Sequence, residues 1–386
     1  MSYFDQLVRA TQGQQLFDYQ PTGQVQRCQC GQAVFFNNSR CLRCGAELGY
    51  QPLQGRLFSL EPTPDADDLW YLQKDIEQPK RRYRRCGNLT APAACNWLVN
   101  HDSPSHFCLA CVLNETIPDL SLNENAELWH ETEVAKRRLV AQLLMLGLPV
   151  IPRSADPQQG LGFNFLRQQP GAEPVMTGHM DGIITLDIDE ADPAHRERVR
   201  QNMHEPYRTV LGHFRHESGH YYWDRLVRDT HWLEPCRVLF GDDRQDYQKA
   251  LERHYRDGPP ADWKDHFISS YAATHPWEDW AETWAHYLHM TDTLNAALDF
   301  GLQIDTLALQ TDPFDSSQLS AHKHSEDDRQ RFLAFINRWV QLSSVLNVLA
   351  RSMGQADIYP FVLTIDSMRK LYLVHSVVAS AGQAAN

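Results

Sequence analysis

Apolar and small residues recur at three- and four-residue spacing from 125 to 146 (Leu128, Thr132, Ala135, Leu139, Leu143, Leu146), with Gly147 and Pro149 as a stop. That period predicts an amphipathic helix with one face on a core. Two short extended runs follow, 161–166 (Leu-Gly-Phe-Asn-Phe-Leu) and 181–189, where Ile184, Leu186 and Ile188 alternate with Ile183, Thr185 and Asp187. Alternation of this kind predicts a small, half-exposed sheet. Helical patterns return over 202–228 and 277–293, separated by the Gly258-Pro259-Pro260 break. After an irregular stretch from 302 to 313 they return again over 329–353, ending at Gly354, and over 369–379. The tail from 382 to 386 is polar, and no internal repeat or low-complexity tract is present. The pattern predicts a helix-rich α+β protein with a minor sheet.

Length and composition refine this picture. A chain of 386 residues exceeds the usual single domain, and 42% hydrophobic with 22% charged residues is ordinary globular composition. The cysteine-rich part ends near Cys111, before the first long helical pattern, which divides the chain into 1–115 and 116–386. A net charge of −13 repels a phosphate backbone, and the one dense basic run, 80–85, is short and isolated, so nucleic acid is disfavoured as a partner. The N-terminus lacks the basic and then apolar order of a secretory signal, and no run approaches 18 uninterrupted apolar residues. The expectation is a cytoplasmic protein without a membrane partner.

Eight of the nine cysteines form two groups of four within the first 111 residues. Cys28-x-Cys30 and Cys41-x2-Cys44 are close pairs ten residues apart, a spacing at which two turns close one tetrahedral zinc site. Cys86, Cys95, Cys108 and Cys111 contain one tight pair and form the second expected site. Closed four-thiolate sites hold a region together and do no chemistry, although the loops of such a ribbon offer a place for a protein partner to dock. Cys236 lies outside both groups and reads as a small buried residue.

The chemistry concentrates at His216-Glu217-Ser218-Gly219-His220. Histidines four apart on a helix lie about 40° apart in projection and bind one metal ion, and the glutamate between them is placed to act as general base. Such a short motif recurs by chance in a chain with eighteen histidines, so a further ligand must decide. The best downstream source is Glu278-Asp279-Trp280-Ala281-Glu282, where two glutamates share a helix face and either has the reach of a ligand. His213, His286 and His289 read first as hydrogen-bonded surface or core residues. Trp277, Trp280 and Trp284 read as core or as the wall of an apolar pocket.

The glutamate segment resembles the third-ligand helix of gluzincin peptidases, which implies that Glu278 binds zinc and that Glu282 supports a ligand histidine. Tyr271 stands where the catalytic domain of anthrax lethal factor carries an oxyanion-stabilising tyrosine, which implies that role for it here. Over most of its length the chain resembles the bacterial zinc-binding metallopeptidases that place a zinc ribbon before a gluzincin-like domain. The segments 213–223 and 275–286 carry that likeness. The resemblance implies a helix-rich zincin with a short sheet beside the active-site helix, one catalytic and two structural zinc ions, and a peptide or protein substrate. The rival reading is an inactive zinc-stabilised protein that uses the cleft and ribbon to hold a partner. A ribbon-borne nucleic-acid module comes last, because of the charge.

Overall fold

The computed structural model describes residues 26–64, 66–73, 81–168, 171, 175–304, 307, 309, 313–319 and 325–384. The readings made above for the N-terminal stretch, for Lys80, for much of the irregular segment after Leu302 and for the last two residues lie outside them.

The first third is built of short antiparallel strands. β1 (Gln26–Arg27) pairs with β2 (Ala33–Val34). β3 (Leu48–Gln51), β4 (Arg56–Thr63), β5 (Ala66–Leu72), β6 (Tyr83–Arg85) and β7 (Leu98–Asn100) form a five-stranded sheet in chain order. Phe36, Tyr50 and Trp97 pack at its base, with Tyr50 4.7 Å from Phe36 and 5.0 Å from Trp97 between ring centroids. These strands were not anticipated, because the cysteine spacing drew the sequence reading to metal ligands.

β8 (Asn114–Thr116) leaves the ribbon and joins a second sheet, so a boundary after 115 falls inside a strand. This sheet has the order β10-β11-β9-β8, with β9 (Gly162–Leu166) parallel to β8 and to β11 (Ile183–Asp187), and β10 (Gly178–Met180) antiparallel on the edge. Phe163 and Phe165 of β9 point into the core with Ile184 and Leu186 of β11, as their alternation predicts.

Helices cover the rest. α1 (Asn123–Met145) stops at Gly147, whose φ of 72° lies in the left-handed region that glycine tolerates. α3 (Val210–Leu226) is the helix read over 202–228, starting later than its pattern, and α2 (Pro193–Asn202) precedes it without having been anticipated. Residues 203–209 are not helical: Pro206 interrupts, and the Thr209 hydroxyl then caps α3 by accepting from the Gly212 N–H at 2.9 Å. α4 (Leu233–Phe240), α5 (Tyr247–Asp257) and the single turn α6 (Trp263–His266) fill the stretch around the Gly-Pro-Pro break. α7 (Pro276–Asp299) begins with proline in its first turn and a His275 cap. α8 (Glu326–Ser352) and α9 (Ile365–Ala384) complete the bundle. α8 is long and apolar enough to cross a membrane by composition, yet half of its most apolar stretch is buried inside the protein.

Two contacts position everything that follows. The ribbon docks on α1 through buried charges: Lys136 Nζ is 2.7 Å from Glu133 Oε1, Asn114 donates to Glu133 at 2.8 Å, and Arg137 donates to the Ala93 carbonyl at 3.0 Å. Charges this deeply buried are tolerable because each meets an opposite charge or a hydrogen-bond partner. The second contact is α3 against α7. A Cβ on Gly219 would stand 2.8 Å from the Ala281 Cα, so the close approach of the two backbones requires glycine. Trp280 donates to the Gly219 carbonyl at 2.9 Å and Trp284 to the Ser218 hydroxyl at 3.1 Å. The two tryptophans are therefore fully buried helix-packing residues, and the pocket wall they also suited in sequence lies elsewhere.

Candidate active site

α3 presents His216 and His220 one turn apart, with ring centroids 4.9 Å from each other. Glu278 faces them from the first turn of α7. Its Oε2 is 3.0 Å from His216 Nε2 and 3.4 Å from His220 Nε2. Oε1 accepts from the Tyr247 hydroxyl at 2.6 Å, whereas the buried Oε2 makes no hydrogen bond among the described residues. A buried carboxylate oxygen aimed at two imidazole nitrogens is costly unless something cationic lies between them. Around a tetrahedral zinc with bonds near 2.0 to 2.1 Å, neighbouring ligand atoms are separated by roughly 3.3 Å. The three side chains fit that ion in chemistry and in spacing, and all three donor atoms lie within 4.8 Å of one another.

Glu282, one turn beyond Glu278, takes a supporting place. Its Oε1 is 2.7 Å from His216 Nδ1, and its Oε2 accepts from the Ser269 hydroxyl at 2.5 Å. A carboxylate on Nδ1 fixes the proton there and leaves Nε2 with its lone pair toward Glu278. Trp277 stacks on His220 at 3.8 Å between centroids. The electrostatics point the same way. Burial favours neutral His216, but Glu278 and Glu282 overcome it and hold the imidazole well above its ordinary range. Burial likewise opposes charge on Glu278, yet His220 and His216 hold it well below the carboxylate range. The trio is a place that demands positive charge.

Glu217 is nearly buried and lines a cleft of about 540 Å³ together with His216, Tyr271 and Glu282. Tyr271 lies 5.9 Å from His216 between ring centroids, and burial together with Glu278 keeps its hydroxyl protonated far above the usual phenol range. His213 is 3.3 Å from Glu190, and His286 and His289 are bonded to Tyr359 and Arg215, each at 2.6 Å. His286 and His289 are satisfied by the protein, whereas the buried His213 Nε2 comes near Glu190 without making a hydrogen bond among the described residues. Cys236 is buried, with its thiol pushed up by burial.

Three residues were missed in the sequence. Tyr247 and Ser269 carry no local signal, since each meets its glutamate only through the fold. Arg215, beside His216, bonds Gln142 of α1 at 3.1 Å and Asp292 of α7 at 2.6 Å. An arginine inside an otherwise buried helix face was the available hint.

Both cysteine groups assemble. Cys28, Cys30, Cys41 and Cys44 bring their sulfurs within 4.8 Å of one another, as do Cys86, Cys95, Cys108 and Cys111. Separations of 3.5 Å (Cys28 to Cys44), 3.7 Å (Cys30 to Cys41) and 3.6 Å (Cys95 to Cys108) are far too long for disulfides. They match the roughly 3.8 Å edge of a zinc tetrathiolate with 2.3 Å bonds. The second group is wholly buried, whereas Cys44 of the first is exposed.

Comparison with known proteins agrees with this geometry. A family model described as "putative zinc-binding metallo-peptidase" matches residues 125–377, and a zinc-ribbon domain model matches residues 25–122. An uncharacterised protein of Mycobacterium bovis is 43% identical over 350 residues, covering 90% of this chain and 93% of its own length. Uncharacterised proteins from two strains of Mycobacterium tuberculosis match to the same extent. No solved structure matches the chain.

Proposed function

The chain belongs to the family described as "putative zinc-binding metallo-peptidase", and from that premise we propose that it is a zinc-dependent peptidase with a gluzincin-like zincin domain. In this reading His216, His220 and Glu278 hold the catalytic zinc, Glu217 is the general base, Glu282 orients His216, and the two cysteine groups hold structural zinc. The carrying observation is the convergence of Glu278 Oε2 on two imidazole Nε2 atoms beside a cleft that Glu217 lines.

Zinc held by that trio supplies a Lewis acid that polarises a carbonyl and acidifies a water molecule. Glu217, nearly buried at the cleft wall, takes the proton from the attacking water and returns it to the leaving amine nitrogen. Tyr271, kept protonated by its surroundings, donates to the developing oxyanion. Glu282 keeps the His216 proton on Nδ1 throughout. β10, the edge strand beside α3, offers unpaired backbone groups to an extended peptide.

The test is zinc content and peptide hydrolysis of Glu217→Gln beside wild type. The expected result is a loss of about 10²- to 10⁴-fold in kcat/KM with zinc unchanged. Unchanged turnover removes Glu217 from the role. Full zinc content in each of His216→Ala, His220→Ala and Glu278→Ala removes the site. A wild type that keeps the trio's zinc, binds peptides and never cleaves them favours the inactive binding protein instead.

A further inference from the structure

Beyond Glu282, Ala285, His286 and His289 continue along the same face of α7 and form the floor of the cleft. Tyr207, Leu346, Tyr359 and Phe361 wall it. Phe361 stands edge-on to His286 at 4.4 Å and 5.1 Å from Tyr359, while Tyr207 stands edge-on to His289 at 5.2 Å. These are aromatic surfaces facing open space directly beside the His216 and Glu217 side chains.

Several of the charged groups that line the same hollow are already engaged by the protein. Arg208 reaches both oxygens of Glu190, at 2.6 and 3.0 Å, and meets Glu205 at 2.9 Å. Asp187 accepts from the Asp189 N–H at 3.1 Å. Burial holds His286 down at about 4, and burial with the Arg215 charge holds His289 well below the usual imidazole range, so neither carries charge near neutral pH. A charged side chain set against Phe361, Leu346 and Tyr207 would lose its hydration with no counter-charge among those walls. An apolar one would displace water from the aromatic walls and lose nothing.

We propose that this hollow is the specificity pocket for a bulky apolar side chain, aromatic before aliphatic, on the substrate residue next to the scissile bond, with Ala285 as its floor and Leu346 and Phe361 as its walls. The assignment rests on the peptidase reading and adds the class of side chain. Ala285 is the small residue that keeps the floor open, and Phe361 supplies the ring face that an aromatic side chain would meet.

The test uses the zinc-loaded full-length protein and a series of N-acetyl amino-acid hydroxamates carrying phenylalanine, alanine, lysine or aspartate side chains, measured by calorimetry beside metal analysis. The hydroxamate reports the zinc whether or not turnover occurs, and the side chain reports the pocket. The phenylalanine compound is expected to bind roughly 10- to 100-fold more tightly than the alanine one, with lysine and aspartate no better than alanine. Phe361→Ala should erase most of that preference, and Ala285→Leu should weaken the phenylalanine compound while sparing the alanine one. The wild-type series decides the matter even if a variant is unstable. A flat series, or a lead for lysine or aspartate, on zinc-loaded protein overturns this assignment alone. Failure of every hydroxamate to bind, with the trio empty of zinc, overturns the peptidase reading and this assignment together.

Discussion

The helix-borne trio and the loop-borne thiolate groups are both suited to zinc, and they reach that state by opposite routes. His216 and His220 are placed by one helical turn, Glu278 by the packing of α7 on α3, and Arg215, Glu282 and Gly219 hold that packing without any metal. The cysteines sit at turns next to short strands, where backbone bonds such as Cys86 N–H to Trp97 and Cys95 N–H to Asn88 shape the loops but four sulfurs meet in one buried place. The contrast predicts that the trio's scaffold forms without its metal and that the ribbon's scaffold leans on its metal. A catalytic site gains from that order, since it must keep its shape as ligands come and go, and a structural site has no such need.

The largest effect that would break this contrast lies in the buried thiolate group. Replacing Cys95 or Cys108 by serine should remove one zinc and several kcal/mol of stability, because structural zinc binding contributes on the order of 10 kcal/mol to small folds. His216→Ala should also lose one zinc, yet melt within a few degrees of wild type, as scanning calorimetry would record. Equal losses in the two variants would mean that the helical scaffold needs its metal as much as the ribbon does.

Acid provides the next test. Burial opposes charge on Glu190, but His213 and Arg208 draw it down to about 2 from its ordinary 4.5. Protonating it costs the folded form more than the unfolded one, so its stabilisation is fully present above pH 4.5 and is lost as the pH falls toward 2. The difference is about 3 kcal/mol. Denaturant melts of Glu190→Gln should start lower than wild type at pH 7 and converge with it by pH 2 to 3. Parallel curves would place the acid response elsewhere.

Two smaller effects sharpen the picture at the trio. Glu282→Ala should weaken one zinc by about 10- to 100-fold in chelator competition while the ribbon's two stay unchanged. Tyr247→Phe removes a single hydrogen bond to Glu278 and should cost about 1 kcal/mol of that same affinity, with the fold intact. If either variant loosened the ribbon's zinc instead, the sites would not be independent.

The candidate ligands were legible because their signals are local. The spacing of His216 and His220 is a property of one helix turn, and the cysteine pairs are properties of single loops. Glu278 over Glu282 needed family likeness, and the structure supplies the physical reason: Oε2 of Glu278 meets both Nε2 atoms, while Glu282 meets the far side of one ring. Helices with strong periodicity, α1, α7, α8 and α9, came through within a few residues. The five-stranded sheet did not, because β6 and β7 are three residues each, too short to show an alternating pattern. α4 and α5 were missed because they are short, and α5 buries little beyond Ala250. Tyr247, Ser269 and the aromatic pocket are products of tertiary contact alone.

The charges buried between ribbon and α1 bear on where the chain can be divided. Two family models divide the chain near residues 122–125, as if two parts had been joined. Yet Lys136 and Arg137, inside the second part, find partners in Asn114 and Ala93 of the first. A chain begun at that boundary would keep Glu133 beside both cations but lose Asn114 and the Ala93 carbonyl, which complete their hydrogen bonding. The division between the two matched parts is one of sequence and not of packing, since ribbon and α1 share buried polar contacts across it.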